Sequence, residues 1–310
     1  MKSLLEILRE HFLDVEHLEK FYRFCVQGSS QTFGHISPLL RQKIIWNPDH
    51  WEICDIERTL TLRGTSCETR NAIILTTLAL PENMVVLGIN SLSEDTFAVY
   101  NHDKHVVMQI PRNAAPLFGV LCYGVQLVAY ELCPSATTTL LTPDSRVWVS
   151  RRSILKNYCP GLLDVTASGA LEAGESPLDG ILRESLEEAS LSDTVLHGRL
   201  YPSGVLSYVG RGGGEYGEGH VFALPEIDFC YHVGLAPGVA PVPMDGEVKY
   251  FALLTVSEIL GRLRRSEFTP SATCVLLDFF IKRGILCFEN EPDYIEIVTR
   301  LHRGLHYPTL

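Results

Sequence analysis

The 310-residue sequence lacks the cysteine patterns that hold zinc or a disulfide framework. Its nine cysteines are dispersed, and no two of them form a Cys-x-x-Cys pair or sit in a cluster with histidine. An odd number of dispersed cysteines is typical of reduced, mostly buried thiols in an intracellular protein. We therefore expect neither structural zinc nor stabilising disulfides.

Long apolar runs and targeting segments are also missing. No uninterrupted apolar stretch approaches the ~20 residues that a membrane-spanning helix needs. The N-terminus has helical apolar spacing and several acids, whereas a secretory signal needs a compact apolar core and a transit peptide is poor in acids. The sequence predicts a cytoplasmic protein without a membrane partner, and it leaves the nucleus open as a second location.

Basic charge is scarce. Lysine and arginine number 26 against 37 acidic residues, which gives a formal net charge of −11. Proteins that bind nucleic acid need a basic surface to contact the phosphate backbone, so we expect no nucleic-acid partner. An acidic chain does suit a protein that holds divalent cations with oxygen ligands.

What the sequence does contain is one dense motif, in residues 169–191. Ser176 is a good N-cap for a short helix. At 100° per residue, the carboxylates of Glu184, Glu187 and Glu188 share one face of that helix. Three carboxylates so close together repel one another, which predicts a bound hard cation such as Mg²⁺; the alternative is a solvated acidic face. The residues expected on the buried face are Leu178, Ile181, Leu182, Leu186 and Ala189.

The spacing inside this stretch favours the cation. In the pattern G-x5-E-x7-R-E-x-x-E-E, the six positions are Gly169, Glu175, Arg183, Glu184, Glu187 and Glu188. The pattern resembles the Nudix box, the signature of hydrolases that cleave a diphosphate linked to another moiety. Two positions depart from the box, because Ser185 replaces an aliphatic residue and Ser190 replaces a glycine that ends the helix. We expect these changes to affect packing and capping, and not the chemistry.

The resemblance implies a metal site. Glu184 and Glu188 are the expected principal ligands of Mg²⁺, with Glu187 beside them. The family pattern adds a backbone carbonyl near the start of the box, which falls on Ser168. Mn²⁺ is the alternative cation.

The expected catalytic set is Glu184, Arg183, Glu175 and Glu247. Arg183 can orient a carboxylate through a bidentate pair, and Glu175 can reach either Arg183 or the metal shell, unless it is purely structural. Family members often place a general base on a loop after the box. Glu247 is the first candidate for this base and Asp245 the second; the alternative is that this Asp-Gly segment is only a turn.

A basic cluster precedes the box. Arg151, Arg152 and Lys156 are the expected ligands of a diphosphate, and ordinary surface solvation is the alternative for each of them. Tyr158 and Tyr216 are candidates for stacking on a ring of the substrate.

The order of predicted elements indicates an α/β fold, with a mixed sheet covered by helices on both faces. The resemblance implies the same architecture, a Nudix α/β/α sandwich over residues 116–310 with helices at its C-terminal end. Residues 1–115 are expected to form a smaller α+β domain of uncertain role. Residues 70–80 fit either a helix or a buried strand, and the glycine-rich residues 210–219 predict a mobile turn or a hairpin tip.

A narrower resemblance rests on four blocks outside the box. They are PLFGVLCYGVQL at 116–127, WVSRRSILKNYCPGLLD at 148–164, PMDGEVKYF at 243–251 and CVLLDFFIKRGIL at 274–286. These blocks are similar to the thiamine-pyrophosphokinase-related Nudix hydrolases of fungi and plants, which carry an uncharacterised N-terminal domain. Members of that branch are credited with converting oxidised or damaged thiamine diphosphate to monophosphates. The resemblance therefore implies a Mg²⁺-dependent hydrolase that releases phosphate from such a small-molecule diphosphate.

Three other functions stay open. One is a nucleoside-diphosphate-sugar or dinucleotide pyrophosphatase. Another is an isopentenyl-diphosphate isomerase, which would need a cysteine and a glutamate; Cys159 is the candidate cysteine. The third is a non-catalytic diphosphate-binding protein, although the complete box argues against a vestigial site. The oligomeric state is also open, and a homodimer is one alternative because Nudix proteins often pair.

Overall fold

The computed structural model describes residues 2–131, 141–156, 158–212 and 221–310. Most of the glycine-rich segment at 210–219, including Tyr216, lies outside these ranges. The helices are α1 (Leu4–His11), α2 (Val15–Leu18), α3 (Pro38–Lys43), α4 (Cys67–Leu78), α5 (Pro81–Leu87), α6 (Ala115–Phe118), α7 (Pro177–Ala189), α8 (Asp193–Leu196), α9 (Val256–Leu263), α10 (Pro270–Lys282) and α11 (Tyr294–Leu301). The strands are β1 (Tyr22–Val26), β2 (Thr32–Ile36), β3 (Trp51–Cys54), β4 (Thr59–Leu62), β5 (Thr96–Tyr100), β6 (Val106–Pro111), β7 (Cys122–Glu131), β8 (Arg146–Arg152), β9 (Leu163–Asp164), β10 (Ala167–Ala170), β11 (Leu200–Gly212), β12 (Phe222–Leu235) and β13 (Val248–Thr255).

The main sheet has the strand order β11-β12-β7-β8-β13, and the short strands β10 and β9 pair with β7 and β8. The sheet is mixed, because β12 and β7 run parallel whereas β11 and β12, and β13 and β8, are antiparallel. Helices cover both faces. Helices α1, α9, α10 and α11 pack around Val128, Val149 and Leu206 on one face, and α7 and α8 pack around Val125 and Val233 on the other. The predicted α/β/α sandwich with a mixed sheet is confirmed.

The N-terminal part of the chain has a sheet of its own, with the strand order β2-β1-β4-β3, and a hairpin of β5 and β6. Residues 70–80, which fitted a helix or a strand, lie mostly in helix α4, and Pro81 begins α5. Two glycines let backbone segments meet at the junction with the main sheet: a Cβ on Gly34 would lie 2.3 Å from the Phe118 carbonyl oxygen. A Cβ on Gly119 would lie 2.2 Å from the His35 carbonyl oxygen.

Helix α1 packs away from this N-terminal sheet. Its Leu4 and Leu8 are buried among residues of α10 and α11, in the core of the main sheet. A capping box starts this helix, because the Ser3 hydroxyl accepts from the Glu6 amide and the Glu6 carboxylate accepts from the Ser3 amide. The division into domains at residues 115 and 116 stays a prediction. None of the helices in the described ranges is long and apolar enough to cross a membrane.

Helix α7 begins and ends as the sequence indicates, but it presents a different face to the sheet. The Ser176 hydroxyl caps its first turn, and Ser190 ends it in the left-handed region at φ 54°. The prediction that Leu178 and Leu186 are buried is wrong, since they are 50% and 46% exposed. The buried side is Gly180, Ile181, Glu184, Ser185, Glu188 and Ala189. Hydropathy alone places leucine inside, whereas here the Ser168 amide on β10 donates a hydrogen bond to Glu188 and holds that carboxylate inward.

Candidate active site

A cavity of about 530 Å³ opens between the main sheet and α7. Small-molecule sites in proteins occupy roughly 300–1,000 Å³. Its wall is formed by strands β7, β8, β10 and β12, by helix α7 and by the loop before β13. In the same order, these elements contribute Gln126, Arg152, Ser168, Glu226, Glu184 and Glu247. The fold therefore brings residues from widely separated parts of the sequence to one site.

The first residue of the box must be a glycine because the Glu184 carboxylate packs directly against its Cα. Gly169 on β10 faces α7, and a Cβ there would lie 1.8 Å from Glu184 Oε1. The same packing holds at Gly180 within the helix, where a Cβ would lie 2.9 Å from Leu171 Cδ1. Any side chain at residue 169 would displace the Glu184 carboxylate.

Arg183 connects the carboxylates of the box. Its Nε and Nη2 donate to the two carboxylate oxygens of Glu175 at 2.9 and 3.0 Å. Its Nη1 donates to Glu184 Oε1 at 2.8 Å and to Glu187 Oε2 at 3.2 Å. The hydrogen bond from Arg183 lowers the pKa of Glu175, while burial raises the pKa of Glu184 despite the arginine. The bidentate partner of Arg183 is thus Glu175, and the pair fixes the position of Glu184.

Glu188 lies at the centre of an oxygen-rich cluster. It is 5% exposed, and its Oε2 accepts a hydrogen bond from the Ser168 amide at 2.8 Å. Carboxylate oxygens of Glu188, Asp245 and Glu247 all lie within 4.8 Å of one another. Burial raises the pKa of Glu188 well above its usual value, and the neighbouring Glu184 adds to the shift. A buried carboxylate among other carboxylates is stabilised by a hard cation, so the donor set fits Mg²⁺.

The predicted metal residues are therefore brought together only in part. Glu188 is joined by Asp245 and Glu247, whereas Glu184 and Glu187 contact Arg183. Ser168 lines the cavity, with its amide nitrogen on Glu188. Metal ligation by Glu184, Glu187 and the Ser168 carbonyl stays a prediction.

Of the three basic residues before the box, two line the cavity and one is not among the described residues that line it. Arg152 lines the cavity and forms a partly buried ion pair with Asp164, with Nη1 3.0 Å from Oδ2. Lys156 forms an ion pair with Glu247. Arg151 is the neighbour of Arg152 on β8, so its side chain leaves the opposite face of the strand, and it is not among the described residues that line the cavity.

Several cavity residues carry no sequence signal that singles them out. Asp95, Phe97 and Arg112 come from the first 115 residues, which the sequence places in a separate domain. Arg211 lies on β11. A single charged residue in a strand or turn does not indicate which distant residues it will lie near. Only the fold shows that these residues line the same cavity as the box.

The acidic pair on β12 was also missed. Glu226 and Asp228 lie on one face of the strand, and Tyr208 Oη is 3.0 Å from Glu226 Oε2 and 2.6 Å from Asp228 Oδ2. Burial, followed by the charge of Asp228, raises the pKa of Glu226 to about 8. Burial also raises the pKa of Asp228. A signal was present, because two acids spaced by two residues in an apolar strand point to the same side.

Replacing Glu226 with glutamine is expected to flatten the pH dependence of stability. Between its usual pKa of 4.5 and about 8, folded protein binds a proton at Glu226 that the unfolded chain has released. The free energy of unfolding therefore falls as pH rises through this window, by up to about 1.4 kcal/mol per pH unit. Glu226→Gln removes this term. Denaturant titrations across the window measure the slope, with Glu82→Gln on the exposed side of α5 as the control; equal slopes for wild type and Glu226→Gln would contradict the prediction.

Comparison with known protein families finds a match that includes this site. Residues 132–273, which include the whole box, match the model of the NUDIX domain. The matched segment contains the pattern that resembles the Nudix box.

Among known proteins, the chain is similar to the uncharacterised protein YJR142W of Saccharomyces cerevisiae, with 33% identity over 227 residues that cover 72% of this chain and 64% of the yeast protein. It is also similar to Nudix hydrolase 24, chloroplastic, of Arabidopsis thaliana, with 30% identity over 198 residues that cover 63% of this chain and 49% of that protein. The chain thus matches between about half and two thirds of the length of these relatives. Of solved structures, DR0079 from Deinococcus radiodurans aligns over 67% of this chain and 100% of its own, with 19% identity and a TM-score of 0.40.

Proposed function

We propose that this protein is a Mg²⁺-dependent Nudix hydrolase that cleaves a small-molecule diphosphate. The observation that carries the proposal is the cluster of Glu188, Asp245 and Glu247, in contact with a cavity that Arg152 and Lys156 also line. Oxygen ligands for a hard cation and basic groups for phosphate oxygens are what phosphate-anhydride hydrolysis requires.

Each residue has a role in this proposal. Glu188, with Glu184 and Asp245, supplies carboxylate oxygens to the cation, which when bound neutralises charge on the phosphoryl oxygens. Glu247 takes a proton from the attacking water. The water oxygen bonds to the terminal phosphorus, and the bridging oxygen leaves with the monophosphate. Arg183 and Glu175 act as positioning residues, because their pair holds Glu184 against Gly169.

The proposed substrate is thiamine diphosphate in an oxidised or damaged form, and the product is the monophosphate. Support for this substrate comes from the four sequence blocks that resemble thiamine-related Nudix hydrolases. The similarity to a plant Nudix hydrolase supports the hydrolase class. For the isomerase alternative, Cys159 is the candidate cysteine, and it is absent from the described residues that line the cavity. A cytoplasmic location, and a surface that binds no nucleic acid, remain predictions from the sequence.

The test is incubation of the purified chain with Mg²⁺ and a panel of diphosphates. The panel contains thiamine diphosphate, its oxidised forms, ADP-ribose and isopentenyl diphosphate, with products identified by mass spectrometry and EDTA as the control. The expected products are orthophosphate and a thiamine monophosphate, formed only with Mg²⁺. Nucleoside monophosphate as the sole product, isomerised isopentenyl diphosphate, or no turnover of any compound would each contradict the proposal.

A further inference from the structure

The N-terminal part of the chain places an arginine in the cavity of the candidate active site. Arg112 follows strand β6, in the turn before helix α6, and it lines the cavity together with Glu184 and Glu187 of the box. The residue is exposed, so a ligand in the cavity has access to it.

The cationic side chains of this cavity differ in whether they already have an anionic partner. Three of them form ion pairs with carboxylates: Arg152 with Asp164, Lys156 with Glu247, and Arg183 with Glu175. Arg112 and Arg211 also line the cavity, and neither forms an ion pair with any described residue. Arg211 borders residues 213–220, which lie outside the described ranges. Arg112 therefore has a full positive charge and its guanidinium N–H donors available for an anionic ligand.

Arg112 also lies close enough to the box for its charge to act there. Burial raises the pKa of Glu184, and both the hydrogen bond from Arg183 and the charge of Arg112 oppose that rise. Arg183 Nη1 contacts Glu184 directly at 2.8 Å, whereas Arg112 forms no ion pair with it. The two arginines thus differ in function: one is bound to the carboxylates of the box, and the other faces the same cavity without being bound to them.

The position of Arg112 is fixed by the packing of the N-terminal part against the main sheet. The Arg112 amide donates to the Asp95 carbonyl oxygen at 2.8 Å, which joins its turn to the hairpin of β5 and β6. Ile110 of β6 and Phe222 of β12 are buried in one apolar core, so the hairpin and the main sheet are packed together. A charged group held by such a framework loses less conformational freedom when it binds a ligand.

We propose that Arg112 binds non-bridging oxygens of the substrate diphosphate, and that the N-terminal part of the chain thereby completes the active site. The inference rests on the proposed function, because the diphosphate is taken to lie at the cation cluster in the same cavity. A guanidinium can donate two parallel hydrogen bonds to one phosphate group, while the three paired cations remain with their carboxylates. The N-terminal domain, whose role the sequence leaves uncertain, then supplies a substrate-binding residue.

The test is calorimetric binding of methylenediphosphonate in the presence of Mg²⁺. Its P–C–P bridge is not hydrolysed, so the measurement does not require turnover. We expect Arg112→Gln to weaken binding by at least about tenfold, because a hydrogen bond between charged groups is lost. The melting temperature without ligand is expected to equal that of wild type, since the substitution removes no ion pair.

Arg23→Gln is the matched control. Arg23 is also an exposed arginine of the N-terminal part, on β1, and it has no ion pair with any described residue. It lines a different cavity, beside His35 and Tyr307. The control removes the same charge from the chain, so we expect it to keep wild-type affinity for methylenediphosphonate.

Failure of this inference can be told apart from failure of the proposed function. Equal affinity of wild type and Arg112→Gln would overturn the role of Arg112, and so would an equal loss in Arg23→Gln. A lower melting temperature of Arg112→Gln, or no binding by wild type, would overturn it as well. Weaker binding confined to Arg112→Gln supports the role even if the chain hydrolyses no diphosphate, and in that case only the proposed hydrolysis would be wrong.

Discussion

Glu188→Gln is expected to lower Mg²⁺-dependent turnover by about a thousandfold. Loss of one anionic ligand removes several kcal/mol of charge stabilisation in the transition state, and about 4 kcal/mol corresponds to three orders of magnitude. The fold should remain, because the glutamine oxygen can still accept from the Ser168 amide, as Glu188 does at 2.8 Å. Burial raises the pKa of Glu188, so a neutral amide relieves a destabilised carboxylate.

The measurements are kcat with Mg²⁺ and the melting temperature in EDTA. The matched control is Glu291→Gln, since Glu291 is also buried, at 7% exposure, and lies outside the cavity. We expect the control to keep wild-type turnover and Glu188→Gln to melt no lower than wild type in EDTA. Wild-type turnover in Glu188→Gln would remove the residue from the proposed site.

Gly169→Ala is expected to impair both stability and catalysis. The new Cβ would lie 1.8 Å from Glu184 Oε1 and 1.9 Å from its Cδ, so the carboxylate must leave its position. Overpacking of this kind costs about 1–3 kcal/mol. Displacement of a positioned catalytic group by about 1 Å can lower the rate by roughly a hundredfold. Denaturant titration and kcat/KM for the best diphosphate measure the two effects.

A double-mutant cycle identifies the cause. In the Glu184→Ala background the colliding carboxylate is absent, so Gly169→Ala should cost much less stability than it does in wild type. Gly304→Ala is the matched control, because a Cβ there meets no atom within 4 Å. If Gly169→Ala costs the same with and without Glu184, the collision is not the reason for the glycine.

Several features of the box and of α7 could be predicted from the sequence because they depend on local interactions. The spacing of Gly169, Arg183 and Glu188 predicted the box, and Ser176 predicted the start of α7, because caps and helical periodicity depend on residues within a few positions of one another. Ser190, which stands where the box has a helix-ending glycine, ends α7 in the left-handed region. The fold class followed from the order of strands and helices, since few layered arrangements accommodate that order.

The orientation of α7 could not be obtained in this way. Hydropathy placed Leu178 and Leu186 inside, yet both are about half exposed. Glu184 and Glu188 face inward because Arg183 and the Ser168 amide offer them hydrogen bonds. Those partners compensate for much of the cost of burying a charge, and a helical projection of α7 contains no information about the Ser168 amide, which lies on β10.

The sequence by itself predicted the class of chemistry that we propose, because the box is a local pattern that needs only α7 and the turn before it. The tertiary structure decided which residues complete the site. Asp245 and Glu247 reach Glu188, and Gln126 meets Asp228, only after β7, β12 and the loop before β13 have packed beside α7. Contacts between distant segments depend on strand order and register, and a carboxylate in a single sequence does not indicate which distant group it will face.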